Sequence, residues 1–237
     1  MHTVSDTYRR ILRGRHRKEG QVEVYDGDTV ATILTEPSLI GLQTVLNAFS
    51  RNEVSVGSCV SGEIDVVFFG DDTSVPRQAK LIPYVRVRND EEASEWLKKG
   101  VFYVDTRTKI KDKSRLKKIT LHGYDSMLKA DTDYTSSALK WPAKDIDVVA
   151  EIASQMDVEV DSRTYEYMIT SYLIPDYRGY TKREIQGYIA AIYASCCIMS
   201  EEGKLLLLPI WALPRDLWLL ANENDDVIEI GGDCILV

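Results

Sequence analysis

Between residues 21 and 123, short β-prone runs recur with turn punctuation about every 8–12 residues, and this rhythm most constrains the fold. "QVEVYDGDTVATIL" places two such runs around Asp26-Gly27-Asp28, and Asp-Gly between β-prone runs signals a hairpin. "VSVGSCVSGEIDVVFFG" repeats the theme before a turn at "GDDTSVP", and "AKLIPYVRVRN", "GVFYVDTRTKI" and "RLKKITLHGY" follow. Six or more strands of this kind predict an antiparallel sandwich or β-barrel over residues 20–140. In "VFYVDTRTKI", Phe102, Val104, Thr106, Thr108 and Ile110 share one face, and Asp105, Arg107 and Lys109 share the other. One face packs inward and the other is wet or meets a partner.

The period changes after the linker "LKADTDYTSSALKWP". "AKDIDVVAEIASQM" sets Val148, Val149, Ile152, Ala153 and Met156 on one helical stripe, with Pro142 near the start. A short strand is expected at residues 158–160. Thr181 and Glu184 form a capping box, with Tyr180 and Ile185 at the staple positions. The helix they open carries Ile185, Tyr188, Ile189, Ile192 and Tyr193 at helical spacing, and its apolar character all round predicts deep burial. "CCIM" and "KLLLLPI" flank "SEEG" as a β-hairpin. The fold class is therefore α+β. It comprises a basic N-terminal arm (1–19), a β-domain (20–140), a small α+β domain with two helices and a hairpin (141–210), and a C-terminal segment (211–237).

Candidate chemistry is thin. The four cysteines, Cys59, Cys196, Cys197 and Cys234, and the three histidines form no CxxC or HxxxH frame, so no metal is expected. On a strand Cys196 and Cys197 point to opposite faces and fill space; they do not act as one redox pair. A dyad of Cys59 with His122 has no local support. "YDGDT", "GDDT" and "ENDD" lack the ligand series of a calcium loop and read as turns. Among 37 Asp/Glu no acid/base pair stands out, and no GxSxG, P-loop or GxGxxG occurs. No catalytic residue and no cofactor is therefore expected. The longest uncharged stretch, which includes residues 187–200, falls short of the ~20 residues of a membrane helix. Arginines interrupt the opening, so it lacks the apolar core of a secretory signal.

Charge is polarised. Residues 1–20 carry six Lys/Arg against two Asp/Glu, whereas residues 215–237 carry one Arg and six Asp/Glu. Arg9, Arg10, Arg13, Arg15, Arg17 and Lys18 could neutralise phosphates. A net charge of −8 and a single aromatic in the segment favour instead a flexible or subunit-contacting arm.

"PYVRVRN", "SEWLKKGVFYVDTR", "ITLHGYDSMLKADTDY", "WPAKDIDVVAEIAS" and "YTKREIQGYIAAIYASCCIMSEEGKLLL" follow one another in an order that resembles the baseplate hub family of phage and prophage tails of Gram-positive hosts. That family includes the N-terminal part of tail-associated lysins. The resemblance covers residues 20–237 and is most specific around 94–134 and 180–208. It implies a tail-tube-like β-barrel followed by a small domain that holds the helix opened at Thr181 and its hairpin. It further implies a non-enzymatic virion subunit at the tail tip, made in the bacterial cytoplasm and assembled as a trimer or hexamer ring. Its implied partners are the tail tube, a spike or fibre and the tape-measure protein. Hubs carry two barrels per chain, and "DDVIEIGGDCILV" looks like the approach to a second. Arg9, Arg10, Arg13, Arg107 and Lys109 are the expected interface residues. The alternatives are a peptidoglycan-cleaving tail enzyme and a DNA-contacting adaptor using residues 9–18.

Overall fold

Helix α1 (Asp6–Arg13) leads into the strands β1 (Arg17–Asp26), β2 (Thr29–Leu34), β3 (Leu39–Val45), β4 (Glu63–Gly70), β5 (Lys80–Arg88), β6 (Leu97–Lys98), β7 (Phe102–Ile110) and β8 (Lys117–Asp125). The structure is a computed structural model and describes residues 4–46, 48–49, 55–70, 75–110, 117–210, 229–230 and 233–234. The eight strands make one antiparallel sheet in the order β2-β1-β5-β7-β8-β4-β3, with β6 on β5. Asp26-Gly27 turns β1 into β2 as the sequence predicts, with Gly27 at φ 58° supplying the left-handed residue.

One face of this sheet buries Val22, Val24, Ile64, Val66, Phe68, Leu81, Phe102, Ile119 and Leu121 in a single cluster. A flat sheet cannot enclose such a core, so the sheet must curl. Strands β2 and β3 stand at opposite ends of the order yet are joined by only residues 35–38. The curl also brings Leu42 of β3 to 3.3 Å from where a Cβ on Gly20 of β1 would sit. Among the described residues no ladder joins β2 to β3. The architecture is thus mixed α+β and dominated by a curled antiparallel sheet, which among the described residues does not close into a barrel.

A bulge between Val104 and Thr106 in β7 changes the reading of its faces. Beyond it, Arg107 lies opposite Leu121 and Lys109 opposite Ile119, both partners being core residues, while Thr106 and Thr108 are exposed. One extra residue in a period-2 strand sends every later side chain to the other face. Arg107 and Lys109 therefore stand on the core-facing side at its rim, the reverse of the alternation expected from sequence.

The second core begins in the 3₁₀ turn after β8 (Ser126–Asp131) with Met127 and Ala130, and it includes Tyr134. Helix α2 (Asp145–Gln155) contributes the expected stripe of Val148, Val149, Ile152 and Ala153, with Met156 just beyond its end. Helix α3 (Ser162–Tyr167), capped by Asp161, and the short strands β9 (Ala143–Lys144) and β10 (Leu173–Ile174) surround it. The hairpin of β11 (Ser195–Met199) and β12 (Leu205–Pro209) forms as predicted, and Val160 makes an isolated bridge to Leu205. Strands β13 (Glu229–Ile230) and β14 (Asp233–Cys234) pair as a separate two-stranded sheet.

Helix α4 (Lys182–Ile192) opens with the predicted capping box, Thr181 and Glu184 bonding reciprocally. Its burial differs from expectation. Ile185, Gln186, Ile189 and Ala190 face the core, whereas Tyr188 is 57% exposed and Ile192 is also exposed. The residues 134–141, read as linker, are tied down instead. Glu151 of α2 accepts hydrogen bonds from the Tyr134 hydroxyl, from Ser137 Oγ at 2.6 Å and from the Ala138 N–H at 2.5 Å, and Trp141 Nε1 donates to Ser137 Oγ at 2.9 Å.

Candidate interaction surfaces and the joint between the cores

The two cores meet at a joint built mainly by α4 and by residues 57–62, which precede β4. Arg183 of α4 donates to the Cys59 carbonyl, to Ser61 Oγ at 3.2 Å and to the Met127 carbonyl at 3.0 Å, and it pairs with Asp131. One guanidinium thus binds both units, its planar fork satisfying several acceptors at once. Beside it, Asp125 at the end of β8 accepts from the Gly62 N–H at 2.7 Å and the Met127 N–H at 2.9 Å. Burial pushes its carboxyl up to about 6, against the pull of those two N–H groups and the Arg183 charge.

Two glycines let the backbones touch. A Cβ on Gly187 would lie 2.8 Å from the Gly57 carbonyl oxygen, and a Cβ on Gly57 would lie 2.7 Å from that of Gly187. Gly57 also has φ 75°. Next to this contact Cys59 bridges Cys197 in a parallel pair. The dyad of Cys59 with His122 does not form, because His122 Nδ1 meets Asp65 Oδ1 at 2.9 Å in the adjacent strand β4. Cys196 and Cys197 are both buried. Nothing in the sequence pattern linked Cys59 to Cys197, since they lie 138 positions apart.

The predicted interface arginines divide. Helix α1 is pinned at its N-cap, where Ser5 donates to Glu95 through its N–H at 2.8 Å and its hydroxyl at 2.5 Å, and Ile11 is buried. Arg10 forks onto Glu92 with bonds of 2.8–3.1 Å. Arg9 lies 3.9 Å from Asp6 and is largely exposed, and Arg13 is exposed. Arg107 Nη2 donates to the Val75 and Pro76 carbonyls, each at 2.7 Å, so it secures the segment before β5. Lys109 is exposed at the rim.

A feature not anticipated from sequence is the cluster around Glu19. It is buried on the outer face of β1 and takes Arg17 at 2.6 Å, Arg86 at 2.7 Å and Arg88 at 3.5 Å. Burial works to raise its pKa, and hydrogen bonds from Arg86 and Arg17 outweigh this to leave it lowered. Arg86 also stacks 4.3 Å over the Trp96 ring. Alternation in "RKEG" and "VRVR" was the available signal, because the register sets Glu19 opposite Arg86 and Arg17 opposite Arg88. Arg15, His16, Arg17 and Arg88 line a cleft of about 530 Å³ with Asn89 and Asp90.

Among the described residues, exposed apolar side chains include two groups that could meet a partner. Val30 and Ile33 on β2, and Ile40 on β3, lie at the two ends of the sheet order. On the second unit, Tyr188 and Ile192 of α4 lie outward, and Ile169 (86%) and Leu173 (65%) are exposed nearby. The Tyr193 hydroxyl, bonded to the Thr170 carbonyl, and the Tyr172 ring, 5.7 Å from that of Tyr193, hold the 169–173 segment against the end of α4. Among the described residues no group of three or more His, Cys, Asp or Glu could hold a metal, and no helix is long and apolar enough to cross a membrane.

No family model and no curated protein matches the sequence. Solved structures do. The 43 kDa tail protein of prophage MuSo2 from Shewanella oneidensis is similar over 82% of this chain and 56% of its own, at a TM-score of 0.52 and 15% identity. A tail protein from Neisseria meningitidis MC58 covers 80% of this chain and 51% of its own, at a TM-score of 0.49 and 13% identity. The chain thus spans about half the length of these proteins, and at this identity the likeness is one of fold.

Proposed function

We propose that this chain is a structural subunit of a phage or phage-like tail, placed at the tail tip or baseplate hub. There it joins the tail tube to a spike or fibre below the tape-measure protein. The observation that carries the reading is the fold shared with the MuSo2 tail protein over most of this chain. Its curled sheet stands in for the tube-like barrel of such assemblies. Supporting it, apolar residues are exposed on the end strands β2 and β3, whose outer edges have no ladder partner among the described residues. Unpaired edges of this kind are templates for pairing with another chain. In this reading a second copy covers them, giving a trimer or hexamer ring, with Arg9, Arg13 and Lys109 at its rim. The role is non-enzymatic.

Native mass measurement across a concentration series tests the ring: trimers or hexamers are expected, and a strict monomer at high concentration counts against it. Antibody labelling of purified particles should mark the tail end distal to the head. Clearing of cell walls by the purified chain in a zymogram would instead favour a peptidoglycan-cleaving role. The basic cleft at Arg15, Arg17 and Arg88 supports a second reading, an adaptor that contacts DNA. Duplex affinity that falls steeply with salt and is lost in Arg15→Ala/Arg88→Ala would favour it.

A further inference from the structure

We propose that Cys59 and Cys197 are a dithiol that a small-molecule disulfide converts into an intrachain disulfide, locking the joint between the two cores. Their backbones already form a parallel bridge, held by the Cys197 N–H on the Ser58 carbonyl at 2.7 Å and the Gly57 N–H on the Ser195 carbonyl at 2.7 Å. Neighbouring strands lie ~4.8 Å apart, inside the ~4.4–6.8 Å between Cα atoms that a disulfide spans. Residues paired across a ladder present their side chains on the same face.

The two sulfurs are not equivalent. Cys197 is 1% exposed within the second core, whereas Cys59 is only partly buried, so a reagent meets Cys59 first. Hydrogen bonding with the Cys197 thiol pushes the Cys59 thiol down, burial opposes this, and the Arg183 charge adds to the lowering. The same hydrogen bond and burial push Cys197 well up. One thiol is thereby prepared as the attacking thiolate and the other as the resolving thiol. Cys196 does not compete, as its Sγ turns to the Leu208 carbonyl at 3.5 Å.

With oxidised glutathione as oxidant, the Cys59 thiolate attacks one of its sulfurs. This forms a mixed disulfide and expels one glutathione thiolate, which takes up the proton released by Cys59. The Cys197 sulfur, its proton lost to solvent, then attacks Cys59 Sγ and expels the second glutathione. Two protein thiols are oxidised and one glutathione disulfide is reduced to two thiols.

The test is to incubate the full chain with oxidised glutathione, quench with acid, alkylate free thiols in denaturant and map peptides without reduction. A Cys59–Cys197 linked peptide is expected, with a melting temperature above that of the reduced protein and reversal by dithiothreitol. Cys197→Ser should stop at a stable glutathione adduct on Cys59, and Cys59→Ser should leave Cys197 unmodified. Recovery of both residues alkylated from the treated wild-type chain would overturn the proposal, and that readout needs no variant to fold. So would an adduct that forms on Cys197 in Cys59→Ser as fast as on Cys59 in Cys197→Ser.

Discussion

Replacing Gly187 with Ala should destabilise the protein, although helix propensity alone demands the opposite. Gly187 lies in the interior of α4, where Ala is favoured over Gly by about 1 kcal/mol. The added Cβ would stand 2.8 Å from the Gly57 carbonyl oxygen. Ordinary contact at such a position is about 3.4 Å or more, so backbone must retreat by roughly half an ångström, as overpacked cores do at a cost of about 1–3 kcal/mol. The backbone that must retreat is itself held, through the bonds of Gly57 N–H to Ser195 and of Ser58 to the Cys197 N–H. The clash sits at the upper end of that range, and the net is a loss of about 1–2 kcal/mol. A chain of this length then melts roughly 2–8 °C lower. Urea and thermal unfolding of wild type and Gly187→Ala decide the matter. A variant as stable as wild type, or more so, would refute the close-approach argument. Gly57→Ala should be worse by about 1 kcal/mol, because its φ of 75° adds left-handed strain to the same contact.

Arg183→Met should cost about 2–3 kcal/mol through the carbonyls left without their charged donor, and a double-mutant cycle with Asp131→Asn should show coupling between the two. The Asp125 carboxyl, with a folded pKa of about 6 against an ordinary 3.8, binds more protons folded than unfolded between those values. Its contribution therefore falls by about 3 kcal/mol as pH rises from about 4 to 6, and Asp125→Asn should remove that slope from urea unfolding measured across the window. Asp161 runs the other way: hydrogen bonding from Arg163 holds it at about 2, so its stabilisation is full above pH 4 and lost between about 4 and 2, a loss absent in Asp161→Asn. Val30→Lys and Ile33→Lys, at exposed positions of β2, should alter stability by no more than about 0.5 kcal/mol while weakening any self-association seen in sedimentation. Unchanged association would remove this face from the interface.

What the sequence determined by itself is local. The Asp26-Gly27 hairpin, the capping box of Thr181 and Glu184, the α2 stripe and the hairpin around Glu201-Glu202 depend on residues a few positions apart, and each forms as its pattern requires. The tertiary structure decided everything that depends on a partner distant in the chain. Arg10 looked like part of an arm until Glu92 was placed beside it. Arg107 and Lys109 changed face because a single bulge shifted the strand register, which a period-2 reading cannot see. The apolar circumference of α4 did not say which side would be covered, since that depends on what packs against it, and the structure leaves Tyr188 and Ile192 outward. Cys59 met Cys197 because the chain before β4 crosses to the second core, a placement set by packing and by two facing glycines, with no spacing in the sequence to announce it.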